Sequence, residues 1–148
     1  MIQRIQTIFL LLASIALFTA VVSPMGYFIE NLITEHPFTA LGVDLHGEHQ
    51  STWGLFCILL LSSIVALSDI FLFKNRILQM RIATFNCLLI VGYYIAFAAF
   101  YFVLDSDSYT FRFGWAFCLP IIALILQVMA IRAIAKDEVM VKAADRLR

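Results

Sequence analysis

Four stretches of this chain are nearly free of charge, and each is long enough to cross a bilayer: about 5–22, 53–73, 82–104 and 113–131. A helix rises 1.5 Å per residue, so about 20 apolar residues span the hydrocarbon layer. Backbone polar groups in hydrocarbon must be satisfied within their own segment, which selects helices over isolated strands or coil. Composition agrees: 63% of residues are hydrophobic and 14% are charged, whereas a soluble domain averages roughly 45–50% and about 25%. The expected fold is an all-α membrane protein, a four-transmembrane-helix bundle forming one domain over residues 1–148. The first run exceeds the h-region of a secretory signal, about 7–15 residues. Cutting the candidate cleavage region, AVVSPMG, after Ser23 would put Pro24 immediately beyond the bond, which suits a signal peptidase poorly, so the run reads as an uncleaved first helix ended by Pro24 and Gly26.

Charge sets the expected orientation. If the turn FLFKNRILQMR (71–81) and both termini share one side, that side collects Arg4, Lys74, Arg76, Arg81, Arg132, Lys136, Lys142, Arg146 and Arg148. Arg112 alone falls on the other side, with Glu30, Glu35, Asp44, Glu48, Asp105 and Asp107. Cytoplasmic loops carry the excess of Lys and Arg. The expectation is a multi-pass protein of the bacterial inner membrane with cytoplasmic N and C termini, a periplasmic loop over 23–52 and a cytoplasmic tail over 132–148. Tyr27, Trp53, Tyr101, Tyr109 and Trp115 fall near the proposed outer boundary, where amphipathic rings prefer to sit. A net charge of zero gives no basic surface for nucleic acid.

Within the spans, Ala16/Ala20, Ser62/Ala66 and Gly92/Ala96 are small-residue pairs suited to helix contact. Pro120 predicts a kink in the fourth helix. Asp69 is the one acid inside a span, with Asn86 and Gln127 at similar depth. Intramembrane polar groups are the default place to look for function. The expectation is a polar layer in which Asp69 pairs with Arg76, Arg81 or Arg132. It reads first as a structural lock of the bundle, with the coupling site of a small transporter as the alternative.

In the loops, Leu41 to Leu45 and Tyr109 to Phe113 alternate like short strands. They predict a small periplasmic β-ribbon by pairing with each other. Ser51 or Thr52 is placed to cap the second helix. HGEH gathers His46, Glu48 and His49, weak candidates for a metal site because the pattern is not HExxH and its Gly favours a turn. Cys57, Cys87 and Cys118 include no CxxC and read as buried thiols, with a Cys57–Cys118 bridge left open. Beyond residue 131, two readings stand side by side: a short cytoplasmic helix, capped by Asp137 and supported by Glu138 and Lys142 at i,i+4, or a solvated tail that continues the fourth helix.

The opening MIQRIQT, the turn KNRILQ and the closing AIRAIAKDE…ADRLR resemble a family of small four-helix integral membrane proteins of Bacteroidota, a domain of unknown function. The resemblance covers essentially the whole chain. It implies a four-helix inner-membrane protein and supplies no catalytic residue or cofactor. The chain has no GxxxxGK[ST] phosphate loop and no nucleophile elbow. The leading expectation is a non-enzymatic accessory or assembly subunit, without cofactor. It would contact the lipid bilayer and a membrane or cytosolic partner through Lys74, Arg76, Arg81, Arg146 and Arg148. The alternatives are a small oligomeric transporter or channel using Asp69, and a membrane thiol or quinone oxidoreductase.

Overall fold

The computed structural model describes residues 2–45, 47–104 and 109–148. Four helices carry the chain: α1 (Ile2–Val22), α2 (Trp53–Phe71), α3 (Arg76–Leu104) and α4 (Leu119–Arg146). All four are long and apolar enough to cross a membrane. They form an up-and-down bundle in which α1 packs on α2 and α4, and α3 packs on the same two. The helix order is that read from the apolar runs, but α3 starts at Arg76 rather than Ile82, and α4 runs far past residue 131.

Between α1 and α2 lie four strands: β1 (Gly26–Glu30), β2 (Thr34–Phe38), β3 (Gly42–Leu45) and β4 (Glu48–Ser51); β5 (Tyr109–Phe113) follows α3. The expected ribbon of 41–45 with 109–113 does not form. β3 pairs with β4 as a local hairpin, while β5 pairs with β1 in a three-stranded antiparallel sheet of order β2-β1-β5. β1 wins this place because Phe28 brings a large ring to the core face, opposite Phe111 in register. Pro37 is tolerated because β2 is an edge strand. Gly26 is required at its position: a Cβ there would lie 2.4 Å from the Phe111 ring and 2.8 Å from the Arg112 carbonyl.

The sheet sits on the end of the bundle where α1 and α3 finish. Phe28 packs edge-on to Phe38, Tyr109 and Phe111, with centroids 5.8, 6.2 and 4.9 Å away. Phe38 in turn meets Phe97 of α3 at 5.5 Å. Two backbone bonds extend the sheet by one rung at the edge next to the bundle: Met25 N–H donates to the Phe38 carbonyl (2.7 Å) and Gly114 N–H donates to the Met25 carbonyl (2.8 Å). Trp53, Tyr101 and Trp115 gather at this same end, and both tryptophans are largely exposed.

Several local expectations change. Pro120 does not kink α4. A 3₁₀ turn (Trp115–Cys118) precedes the helix and Pro120 falls in its first turn, where the missing N–H has no intrahelical acceptor to lose. Thr52 occupies the cap position of α2, yet its hydroxyl donates to the Ala40 carbonyl at 3.1 Å instead of to the helix. Asp137 caps nothing, because it lies mid-helix in an unbroken α4. Ala16/Ala20 and Ser62/Ala66 are buried as small contact pairs, whereas Gly92/Ala96 is only half buried and Gly92 has no neighbour within 4 Å of a built Cβ. α3 packs instead through Ala83, Ile90, Tyr93 and Phe97.

Candidate functional site

The two ends of the bundle differ in kind. The end without the sheet holds the start of α1, the α2–α3 turn and the end of α4, and with them every Lys and Arg of the described residues except Arg112. The cations arrive there because α1 and α3 begin, and α2 and α4 finish, on that side. Arg112 remains at the sheet end, 4.0 Å from Glu35.

At this basic end, α4 continues beyond its neighbours. Arg76, the first residue of α3, pairs with Asp137 at 3.1 Å, both only partly buried. That pair fixes where α4 leaves the bundle. From Asp137 to Arg146 the helix projects by about 14 Å at 1.5 Å per residue, and every residue from Val139 to Arg148 is exposed. The Glu138–Lys142 pair read from the sequence is present at 3.0 Å. Arg76 is therefore a tie between the turn and α4, not a free contact residue.

A cleft of about 550 Å³ opens between the turn and the projecting helix. One wall carries Lys74, Ile77, Leu78 and Arg81, and the other carries Glu138, Val141, Lys142 and Asp145. Arg76 and Lys142 are engaged by acids, while Lys74 and Arg81 make no ion pair among the described residues. A second apolar groove on the projection is lined by Val139, Ala143, Leu147 and Arg146. Arg146 and Arg148 sit on this projection, away from the turn.

The polar residues inside the bundle form two tiers. In the first, the Ser62 hydroxyl donates to Asn86 Oδ1 at 2.6 Å and the Cys87 thiol donates to Gln127 Oε1 at 3.5 Å. In the second, Gln79 Nε2 donates to the Asp69 carbonyl at 3.1 Å. Seven residues separate the tiers on both α2 and α3, about 10 Å of helix, so the second lies nearer the basic end. Asp69, Asn86 and Gln127 are all buried, as expected, with Asn86 and Gln127 sharing a tier and Asp69 below them. The expected ion pair to Asp69 does not form. Arg76 is held by Asp137, and Arg81 and Arg132 are exposed without an acid partner among the described residues. Both Asp69 carboxyl oxygens, Asn86 Nδ2, Gln127 Nε2 and Gln6 Nε2 are buried without a hydrogen-bond partner. Gln6 and Gln79 belong to this interior and carried no special sequence signal beyond being polar near a span end. Towards the sheet, Leu55, Leu59, Ile90 and Phe97 line the interior, and among them the buried Tyr93 hydroxyl has no hydrogen-bond partner.

His49 Nδ1 lies 2.6 Å from Asp44 Oδ1 across the β3–β4 hairpin, both exposed, and Glu48 is exposed beside them. His46, Asp105 and Asp107 lie outside the described residues. Among the described residues no group of three His, Cys, Asp or Glu side chains could hold a metal ion. Cys57 and Cys118 are exposed and Cys87 is half buried, all three as free thiols.

No curated protein matches the chain. Comparison with protein families matches residues 2–147 to the family described as Domain of unknown function (DUF4293), so nearly the whole chain is covered. The match and the resemblance of the terminal and turn motifs agree, and the chain belongs to the DUF4293 family.

Proposed function

We propose that this chain is a four-span protein of a bacterial inner membrane whose basic end faces the cytoplasm, and that it acts without catalysis as an accessory subunit. Its docking surface for a partner protein is the projecting end of α4 with the adjoining turn. The membrane reading rests on helices that are apolar on their outer faces as well as inside: Ile5, Ile8, Leu12 and Ile15 of α1, and Phe85, Leu88 and Ile95 of α3, are all exposed. A helix hydrophobic all round needs an apolar surround. The orientation rests on the clustering of Lys and Arg at one end.

One observation carries the docking reading. Two basic segments that are some sixty residues apart in the chain converge on one surface through Arg76 and Asp137. The projection adds exposed Val139, Met140 and Leu147 beside Arg146 and Arg148, the mixture of apolar anchor and flanking cation that suits an acidic, amphipathic partner segment. Crosslinking in native membranes from positions on the projection, followed by replacement of Arg146 and Arg148 with Gln, tests it. Loss of the crosslinked partner on substitution supports the reading, and unchanged recovery overturns it. For the orientation, a cysteine introduced at Leu147 in a background lacking native cysteines should resist a membrane-impermeant maleimide in intact cells, while one at Leu32 should react.

A second reading, a small transporter, draws on the two unpartnered carboxyl oxygens of Asp69. Asp69→Asn in reconstituted vesicles should abolish any ion or proton flux if that reading holds. Between the tiers and the sheet the interior polar groups thin to the Tyr93 hydroxyl among apolar side chains, which favours the accessory reading.

A further inference from the structure

We propose that the cleft between the α2–α3 turn and the projecting end of α4 is a binding site for a phospholipid of net negative charge, one whose phosphodiester headgroup carries no compensating amine. The proposal rests on the membrane reading above but not on the docking of any partner.

Charge counting comes first. Of the four cations in the cleft, Arg76 is neutralised by Asp137 and Lys142 by Glu138, at 3.1 and 3.0 Å. Lys74 and Arg81 have no acid partner among the described residues, and Asp145 has no cation partner. Two free positive charges and one free negative leave the cleft with a single unmet positive charge. One phosphodiester matches it.

The surroundings of Arg81 then decide what kind of phosphate. Arg81 lies on the outer face of α3 in line with Leu78, Phe85, Leu88 and Ile95, which are 44%, 53%, 65% and 67% exposed. Their spacing of three, four and seven residues keeps them on one stripe. The cationic mouth of the cleft is therefore continuous with an apolar track climbing the helix towards the sheet end. An occupant that satisfies both needs an anion joined to hydrocarbon. Arg81 stands about 7.5 Å above the start of α3 by helical rise, close to the headgroup level, and a long side chain there directs its charge towards the interface. Basic pockets at the cytoplasmic ends of spanning helices take anionic headgroups for this reason. A free phosphate would leave the apolar track uncovered.

The test uses the intact chain in detergent, titrated with phosphatidylglycerol, phosphatidylcholine and water-soluble glycerol phosphate, with bound molecules counted by native mass spectrometry. Phosphatidylglycerol should be retained over phosphatidylcholine, and glycerol phosphate should not bind at the same concentration. Lys74→Gln with Arg81→Gln should weaken phosphatidylglycerol binding by roughly thirtyfold, given the usual contribution of each cation near a membrane surface. Leu78→Glu, which places a carboxylate in the cleft, should weaken it as well. Arg132→Gln with Lys136→Gln removes the same charge from the same end outside the cleft and should leave binding intact. Equal loss in both double variants, no preference for the anionic lipid, or glycerol phosphate binding as well as the lipid would each overturn the proposal. A chain that stays folded and monomeric in buffer without detergent would overturn the membrane reading instead, so the two failures are distinguishable.

Discussion

The sheet end and the basic end of this bundle solve opposite problems. At the sheet end, rings interlock: Phe28, Phe38, Phe97 and Phe111 meet edge-on, with buried Met25 and Val43 beside them. At the basic end, the interior holds Gln6, Asp69 and Gln79, with several polar atoms left unpartnered, and the outermost helix runs on into the open. Packed aromatic surface carries large stabilisation, whereas buried polar groups without partners cost free energy. The contrast implies that the sheet end holds the bundle together and the basic end is free to serve contacts.

Three substitutions and one truncation can break or sharpen that contrast. Phe28→Ala removes the centre of the ring cluster and should destabilise the fold by about 3–5 kcal/mol, read from thermal unfolding in detergent. Gly26→Ala forces a methyl group against Phe111 and the backbone of Arg112, and should cost about 1–3 kcal/mol by overpacking in the same assay. Arg76→Gln removes one partner of the Arg76–Asp137 pair. Because that pair borders solvent, the loss in stability should be no more than about 1 kcal/mol, while faster hydrogen exchange at the base of the projection should report the released tie. Truncation after Glu138 should change stability by less than about 0.5 kcal/mol, since every residue removed is exposed. If truncation cost as much as Phe28→Ala, the division between the two ends would be wrong.

The four helices were legible because each needs only its own run of apolar residues to be recognised. The sheet was less so. The strand signal at 109–113 was real, but its partner β1 (Gly-Tyr-Phe-Ile-Glu) starts two residues after Pro24 and offers little alternation, and β2 carries Pro37, a residue confined to edge strands. Pairing between strands is decided by which rings meet over the bundle, and that is a long-range matter. The single long α4 was one of two readings of the tail, and composition favours it: no Gly or Pro occurs from Ile121 to Arg148, so Asp137 had no break to cap. The residues of the polar tiers stood out as polar letters in apolar runs. The Arg76–Asp137 tie did not, because nothing local in either segment points to the other.

That unbroken α4 has a mechanical consequence. With 28 helical residues it is a rod about 42 Å long, gripped along its first two thirds and free at its tip. Without a hinge it behaves as a lever arm: a tilt of about 10° about its first turn sweeps the far tip by roughly 7 Å over that length. A partner at the tip, as proposed above, would therefore sense how the rod is seated.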